Sequence, residues 1–246
     1  MPTYNRAWII KRAIDSILAQ SCKDWELIVI DDGSEDNTAH IVASYSDARI
    51  HYLKLDQNAG AGAARNRGLS QARGDIIAYL DSDNVWHPNY LEVMLSELTD
   101  EYLMAYSGQN LLLVGGTRDQ PKILGRKTRT PAYNPDRLLY GNFIDINIAV
   151  HRASVIKEIG GFDESLKSLG DWDLFVRISV KHPFKIKYVD QVLGDYYFYL
   201  KAVSETITGA AGSEERTIEG FRRSASTPAT AAVLKNIERY RREATA

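Results

Sequence analysis

The chain has 246 residues, of which 44% are hydrophobic and 25% are charged, as is ordinary for a soluble globular protein. Its formal net charge of −2 gives no strong attraction to nucleic acid, which we exclude as a partner. The single cysteine, Cys22, excludes an internal disulfide, and no apolar run approaches the ~18 residues that a transmembrane helix needs.

Helical and strand patterns alternate through the first half of the chain. Apolar residues at helical spacing predict helices at 6–20, 38–45, 63–72 and 88–98. Apolar runs predict strands at 25–30, 50–55 and 75–80. This alternation implies a parallel sheet with helices on both faces, so the expected fold class is α/β.

The second half has a less regular pattern. Strands are predicted at 105–108, 109–114, 147–150 and 185–193. Helices are predicted at 152–159, 171–180 and 229–242. Residues 115–135 carry Gly, Pro and several Lys and Arg, so we expect a loop there.

Pairs of carboxylates directly follow two of the predicted strands. Asp31 and Asp32 follow the first, and Asp81 and Asp83 follow the third. In open α/β sheets, ligands bind outside the carboxyl ends of the strands, and these acids lie at such ends. From the residues alone they are a turn, a metal site or both.

A series of motifs then occurs in a fixed order along the chain. They are PTYNR (2–6), SILAQ (16–20), ELIVIDDGS (26–34), NAGAGAARNRG (58–68), GDIIAYLDSD (74–83), GGFDE (160–164) and DWDL (171–174). In this order they closely resemble family 2 glycosyltransferases over roughly residues 2–200. The resemblance implies a GT-A fold and transfer of a sugar, with inversion, from a nucleotide-sugar to an acceptor hydroxyl, with Mg²⁺ or Mn²⁺.

The resemblance also suggests a division of the chain. Residues 1–208 would form the GT-A domain, with a nucleotide-sugar-binding half at 1–100 built on a mostly parallel sheet. Its acceptor-side half, 101–208, would be less regular. Residues 209–246 would form a C-terminal helical extension.

By resemblance, Asp81-Ser82-Asp83 is the DxD motif of the family. Asp83 would hold the metal, and Asp81 would lie near the ribose or the metal-bound waters, beside Ser82. The chemistry is reasonable, because a hard divalent cation prefers oxygen ligands and neutralises a diphosphate. The alternative for these acids is an Asx turn that caps the next helix.

The nucleobase pocket is also placed by the resemblance. Asp32 would accept a hydrogen bond from a ring N–H, which suits a uracil-like edge because a carboxylate is acceptor-only. Pro2, Thr3 and Tyr4 would line the same pocket, so a UDP-sugar is the expected donor. A turn or N-cap acid is the alternative for Asp32.

The segment 58–68 would bring small residues and a cation towards the nucleotide. Asn58 and Gly60 would border the donor, and Arg65 would contact the diphosphate or the acids. The alternative for Arg65 is a structural ion pair to Asp32 or Asp83. A dinucleotide fingerprint starting at Gly60 is disfavoured, because Arg65 occupies the third glycine position.

Asp171 is the expected general base. An inverting displacement needs a group that removes the proton of the attacking hydroxyl. The family pattern carries a Glu before this Asp, and here that position is Gly170. An N-cap role at the start of a helix is the alternative for Asp171.

The missing Glu before Asp171 and a second departure from the family pattern leave other functions open. The first strand of the family is not seen before Pro2, so we expect a loosened nucleotide pocket and reduced stability. A catalytically impaired nucleotide-sugar-binding domain is therefore one alternative. A sugar-phosphate nucleotidyltransferase is another, although its Gly-rich N-terminal loop is not seen.

The resemblance implies a role in glycan or cell-surface polysaccharide synthesis. The acceptor would be a glycan, a lipid-linked sugar or a protein. We expect a cytoplasmic protein, with the inner face of the membrane as an alternative location. The C-terminal helix is a candidate for a homodimer contact or a peripheral membrane contact.

Overall fold

The computed structural model of the protein describes residues 1–200 and 228–244. The first three strands form a parallel sheet in the order β1–β2–β3. These strands are β1 (Pro2–Thr3), β2 (Leu27–Asp31) and β3 (Ile50–Lys54). The helices of this part are α1 (Ile10–Leu18), α2 (Thr38–Ala43) and α3 (Ala61–Leu69). Helix α1 forms as predicted, since its buried Ile10, Ala13, Ile14 and Ile17 recur at helical spacing.

The remaining strands form a second, mixed sheet in the order β4–β8–β6–β9–β5, with β7 paired to β6. These strands are β4 (Ile76–Ala78), β5 (Val85–Trp86), β6 (Met104–Gly116), β7 (Pro121–Arg129), β8 (Ala149–Arg152) and β9 (Ile186–Tyr199). The helices are α4 (Tyr90–Glu97), α5 (Pro135–Leu138), α6 (Ala153–Ile159), α7 (Gly170–Lys181) and α8 (Pro228–Ala244). Strands β6 and β9 are parallel, and the other pairs in this sheet are antiparallel.

The prediction of a loop at 115–135 is wrong for Pro121–Arg129, where β7 pairs with β6 as a hairpin. Most side chains of β7 are exposed, so the strand carries no apolar alternation by which the sequence could reveal it. The two strands predicted at 105–108 and 109–114 form one continuous strand, β6. Strand β9 continues to Tyr199, beyond the predicted end at 193.

The C-terminal helix α8 packs on α7. Val233 and Ile237 of α8 are buried in the main core. Tyr240 donates a hydrogen bond of 2.9 Å from its hydroxyl to the Asp173 carboxylate on α7. The predicted C-terminal helix is therefore present, and it packs on the domain. The predicted boundary between 208 and 209 lies outside the described residues.

The two sheets are separated by a cavity of about 580 Å³. Met1, Ile28 and Ile30 line it on the side of the first sheet, and Ile76 and Ala78 of β4 line it on the other. Strand β4 is the last strand of its sheet, and the two-residue β1 is the last strand of the first sheet. Each sheet therefore turns an open edge towards this space.

The short strand β1 makes part of the pairing that we expected to be missing. The Met1 carbonyl accepts a hydrogen bond from Ile30 N, and the Thr3 carbonyl accepts one from Asp32 N. The Met1 ammonium donates to the Ile28 carbonyl at 2.8 Å. Burial lowers the pKa of this ammonium to about 5, so an enclosed cation is unfavourable here.

This cavity predicts that a short strand added before Met1 raises stability. A Val-Thr-Val-Ile extension replaces the enclosed ammonium by a neutral amide and adds apolar surface between two open sheet edges. We expect a gain of about 2 kcal/mol in the free energy of unfolding, or roughly 4–8 °C in Tm. A Gly-Ser-Gly-Ser extension of the same length is the control. Equal Tm values for both extensions in a thermal melt would show that the cavity does not accept a strand.

Candidate active site

Asp81 lies at the end of β4 and forms an ion pair with Arg65 of helix α3. The distance from Arg65 Nη2 to Asp81 Oδ1 is 2.6 Å. Asn147 holds the same residue from the other side, because its Oδ1 accepts from Asp81 N at 2.6 Å and its Nδ2 donates to the carboxylate at 3.2 Å. Burial alone would raise the pKa of Asp81, but the charge of Arg65 and these hydrogen bonds outweigh it, and the pKa is lowered.

Asp83 lies two residues further on and is held by cations from the N-terminal segment. Arg6 Nη2 lies 2.9 Å from its carboxylate, and Arg12 Nη2 donates to its main-chain carbonyl. Burial raises the pKa of Asp83, Arg6 opposes this effect, and the neighbouring Asp81 raises the pKa further. The negative charge of Asp83 is thus incompletely compensated, so a further cation beside it would be stabilised.

The two acids do not cap the next helix. Helix α4 begins at Tyr90, and no side chain caps its N-terminus. Within residues 1–200 and 228–244, no group of three or more His, Cys, Asp or Glu side chains is arranged to hold a metal. Asp81 and Asp83 offer oxygen donors only, which fits Mg²⁺ or Mn²⁺ if a ligand such as a diphosphate completes the shell.

Asp32 lies at the end of β2 and is buried against the loop before α3. Its carboxylate accepts hydrogen bonds from Ala59 N at 2.7 Å and Gly60 N at 2.8 Å. Gly60 has φ 95°, a left-handed conformation that suits glycine and turns the chain into the helix. Asp32 therefore fixes the start of α3. The predicted residues Asn58 and Gly60 lie in the loop that it holds, and Arg65 lies on the helix that follows.

The predicted residues of the N-terminal segment lie beside Asp32. Pro2 and Thr3 form β1, which Tyr4 follows directly. The Thr3 hydroxyl is buried and has no hydrogen-bond partner among the described residues. Ser82 is also buried, between the two acids of its motif. Arg65 pairs with Asp81, and not with Asp32 or Asp83 as the structural alternative had it.

Asp171 lies in the first turn of α7, and Asn142 Nδ2 donates to its carboxylate at 2.9 Å. It does not cap the helix, since Leu169 occupies the N-cap position. Burial raises the pKa of Asp171, the nearby Asp145 raises it further, and Arg65 opposes both effects. A carboxylate with a raised pKa in a candidate active site suits a general base.

Helix α7 is fixed from behind by a second ion pair. The buried Asp173 accepts from Arg177 Nε at 2.9 Å. Arg177 also donates to the Gly161 carbonyl at 2.7 Å, which ties α7 to the turn at 160–164. This turn therefore positions the segment that carries Asp171. The neighbouring Trp172 is buried and donates to the Leu138 carbonyl at 2.7 Å, so it belongs to the core.

Trp8, Tyr197 and Tyr199 form an aromatic wall near Asp83. The Arg12 guanidinium lies 3.4 Å from the ring centre of Tyr197, and Tyr199 is 5.2 Å from Trp8. Sequence reasoning missed these residues together with Arg6, Asn142 and Asn147. Arg12 resembles any polar residue of an amphipathic helix, and the others gain their roles through contacts distant in sequence.

Several buried polar atoms in the candidate active site have no hydrogen-bond partner in the described part of the protein. They include Thr3 Oγ1, Trp8 Nε1, Arg12 Nε and Arg65 Nε. Buried polar groups are ordinarily paired, and an unpaired one requires an explanation such as a ligand. All but the Thr3 oxygen are N–H donors, which suits an anionic ligand.

The sequence matches the family described as Glycosyl transferase family 2 over residues 1–157. WcaA of Escherichia coli (strain K12), a glycosyl transferase named for colanic acid biosynthesis, is 34% identical over 78% of this chain and 70% of its own length. The UDP-Glc:alpha-D-GlcNAc-diphosphoundecaprenol beta-1,3-glucosyltransferase WfgD of Escherichia coli is 46% identical over 39% of this chain and 38% of its own length.

Two solved structures are similar in fold. S. aureus TarS 1-349 in complex with UDP-GlcNAc has a TM-score of 0.62 at 20% identity, over 97% of this chain and 69% of its own. The mannosyltransferase PcManGT from Pyrobaculum calidifontis, in complex with GDP-Man and Mn²⁺, has a TM-score of 0.62 at 17% identity, over 99% and 71%. These likenesses confirm the α/β GT-A fold.

The ion pair between Arg65 and Asp81 can be tested by the substitution Arg65→Met. The variant leaves Asp81 without its cation. We expect a loss of about 2 kcal/mol in the free energy of unfolding at pH 7, below the cost for a fully buried pair, because the Asp81 side chain is 28% exposed. Denaturant titrations at pH 7 and pH 4 measure this loss, with Arg67→Met on the same helix as the exposed control.

The pH dependence of this loss has a definite sign. The lowered pKa of Asp81 stabilises the protein above the ordinary pKa of an aspartate, near 4, and this contribution is lost as the pH falls. The difference between the protein and Arg65→Met should therefore shrink at pH 4. A difference that is equal at both pH values, or absent at pH 7, would contradict the assigned pair.

Proposed function

Because this chain belongs to glycosyl transferase family 2 and is a glycosyltransferase, we propose that it transfers a sugar from a UDP-sugar, with inversion and with a divalent cation. The observation that supports this most is that Arg65 interacts electrostatically with both Asp81 and Asp171, while Asp81 also acts on the neighbouring Asp83. Three carboxylates with differently shifted pKa values provide separate groups for a cation and for a proton.

The nucleotide would bind across the end of the first sheet. Asp32 retains acceptor capacity beyond its two backbone hydrogen bonds, and the buried Thr3 hydroxyl of β1 has no hydrogen-bond partner among the described residues. The uracil edge offers an N–H donor and carbonyl acceptors, which complement this pair. Pro2, Tyr4 and the segment from Asn58 to Gly60 would form the remaining walls of the pocket.

The diphosphate would lie between β4 and the aromatic wall. Asp83 would hold Mg²⁺ or Mn²⁺, with Asp81 as a second or water-mediated ligand. The cation would neutralise charge that develops on the leaving diphosphate. Arg12 and Trp8 present buried, unpaired N–H groups near Asp83, and these would donate to phosphate oxygens.

Asp171 would remove the proton of the acceptor hydroxyl. Its raised pKa makes its carboxylate a stronger base than an ordinary aspartate. Asn142 would keep the carboxylate oriented, and the contact from Arg177 to Gly161 would keep α7 in place. Gly170 takes the place of the Glu that the family pattern carries, and an added Cβ there would lie 3.7 Å from Phe162 Cδ1, so acceptor contacts would come from other residues.

We propose a lipid-linked saccharide as the acceptor and cell-surface polysaccharide synthesis as the process. The names of WcaA and WfgD support this proposal, and this chain spans only part of each protein. Within the described residues, no helix is long and apolar enough to cross a bilayer. A cytoplasmic location at the inner membrane face would place the protein beside such an acceptor.

The substitution Asp171→Asn tests the base. We expect kcat for sugar transfer to fall at least ~100-fold, while the Kd for UDP changes less than about 3-fold, because Asp171 lies on the acceptor side. UDP release from a panel of UDP-sugars with Mn²⁺ measures the rate, and calorimetry measures binding. Asp100→Asn, at an exposed site, is the control for loss of a carboxylate. Unchanged kcat would remove Asp171 from the mechanism.

The substitution Asp83→Asn tests the cation site. Mn²⁺ should tighten UDP binding at least ~10-fold in the protein and have little effect in the variant, since one anionic ligand is lost. Equal stimulation by Mn²⁺ in both would exclude Asp83 as a ligand.

The same assays separate the alternatives. Release of pyrophosphate from a nucleoside triphosphate would indicate a nucleotidyltransferase. UDP-sugar binding without any UDP release would indicate a binding domain.

A further inference from the structure

The hairpin formed by β6 and β7 carries exposed aliphatic side chains near its turn. Ile123 is 60% exposed and Leu124 is 59% exposed, more than any other aliphatic side chain that the structure describes. Leu124 lies over Gly115, where an added Cβ would be 2.5 Å from Leu124 Cδ1 and 3.6 Å from Leu200 Cδ1. Ile123, Leu124 and the half-exposed Leu200 define the hairpin tip, a small apolar surface.

Basic residues surround the hairpin tip. Residues 117–130 contain five Lys or Arg and one acid, Asp119, in a chain whose formal net charge is −2. Lys122, Arg126 and Lys127 are exposed on β7. A local excess of positive charge therefore lies beside the most exposed aliphatic pair of the described residues.

We propose that the hairpin tip and its flanking cations bind the surface of an anionic lipid bilayer. Aliphatic side chains that protrude beside cations enter the boundary between headgroups and acyl chains, and each Lys or Arg near such a surface contributes about 1 kcal/mol. A stable protein partner typically covers about 800 Å² on each side, far more than a few aliphatic side chains supply. The composition of this surface favours a bilayer over a protein.

The hairpin is connected to the candidate active site. The Arg118 guanidinium lies 5.2 Å from the ring of Trp8, which contacts Tyr199 in the aromatic wall beside Asp83. A bilayer bound at the hairpin tip would therefore lie near the candidate active site. Delivery of a lipid-linked acceptor from that bilayer rests on the proposed function, whereas binding of the bilayer itself does not.

The test is co-sedimentation of the full chain with vesicles of phosphatidylcholine alone or with about 40% phosphatidylglycerol. We expect at least ~10-fold tighter binding to the anionic vesicles, weakened at high salt. Lys122→Glu with Lys127→Glu, and separately Ile123→Ser with Leu124→Ser, should each weaken binding at least ~10-fold. The control is Phe184→Ser with Lys185→Glu, an exposed apolar and basic pair elsewhere, and this variant should bind vesicles as tightly as the unsubstituted protein.

The circular dichroism spectrum and the affinity for UDP should be unchanged in all variants, since none of these residues belongs to the candidate active site. Absence of vesicle binding, equal binding by the hairpin variants, or equal loss in the control would overturn the proposal. Equally tight binding to soluble polyglutamate would assign the surface to acidic proteins and overturn it as well. Because UDP release is measured without vesicles, failure of membrane binding is distinguishable from failure of the proposed transferase activity.

Discussion

The ion pair between Arg65 and Asp81 is the contact on which the site depends. Arg65 extends from α3, which packs on the first sheet, and Asp81 follows β4 at the edge of the second. Among the described residues, the two sheets share no strand pairing. The charged contact between them keeps the acids after β4 next to helix α3 and the first sheet. Because the pair is only partly exposed, solvent screens it weakly, and its geometry affects the neighbouring charges.

The carboxylates around this ion pair have pKa values that are shifted in different directions. The pKa of Asp81 is lowered because its cation and amide partners outweigh burial, whereas the pKa of Asp83 and that of Asp171 are raised because burial dominates. Carboxylates whose environments shift their pKa values in opposite directions can serve distinct chemical roles. In the proposed transfer reaction, these roles would be to hold a cation beside the leaving group and to remove a proton from the acceptor. Strand β4 and helix α7 bring Asp81 and Asp171 to the same side chain, Arg65.

The sequence was informative where local physics determines structure. Helical spacing identified α1 and α7, and an apolar run identified β2, because these elements bury one face or both. Strand β3 was also predicted, although none of its residues is fully buried. The acids at the strand ends followed from the general rule for open α/β sheets. The motif order then gave the family and the fold.

Other features depend on contacts that a single sequence does not record. Strand β7 has few buried side chains, so its pairing with β6 leaves little pattern. The partner of Arg65 could not be chosen among several acids by spacing. Asn147 gains its position from a short 3₁₀ helix and meets Asp81 from far along the chain. The pairing of Pro2 and Thr3 with β2 was not predicted either, because two residues carry no periodic pattern.

A crystal structure of the protein with UDP and Mn²⁺, measured at the manganese absorption edge, tests the central claim most directly. We predict a single strong anomalous peak at roughly 2.2 Å from a carboxylate oxygen of Asp83, bridged to the diphosphate, with the uracil edge against Asp32. A nucleotide bound on another face, or a manganese ion coordinated away from both Asp81 and Asp83, would contradict the account.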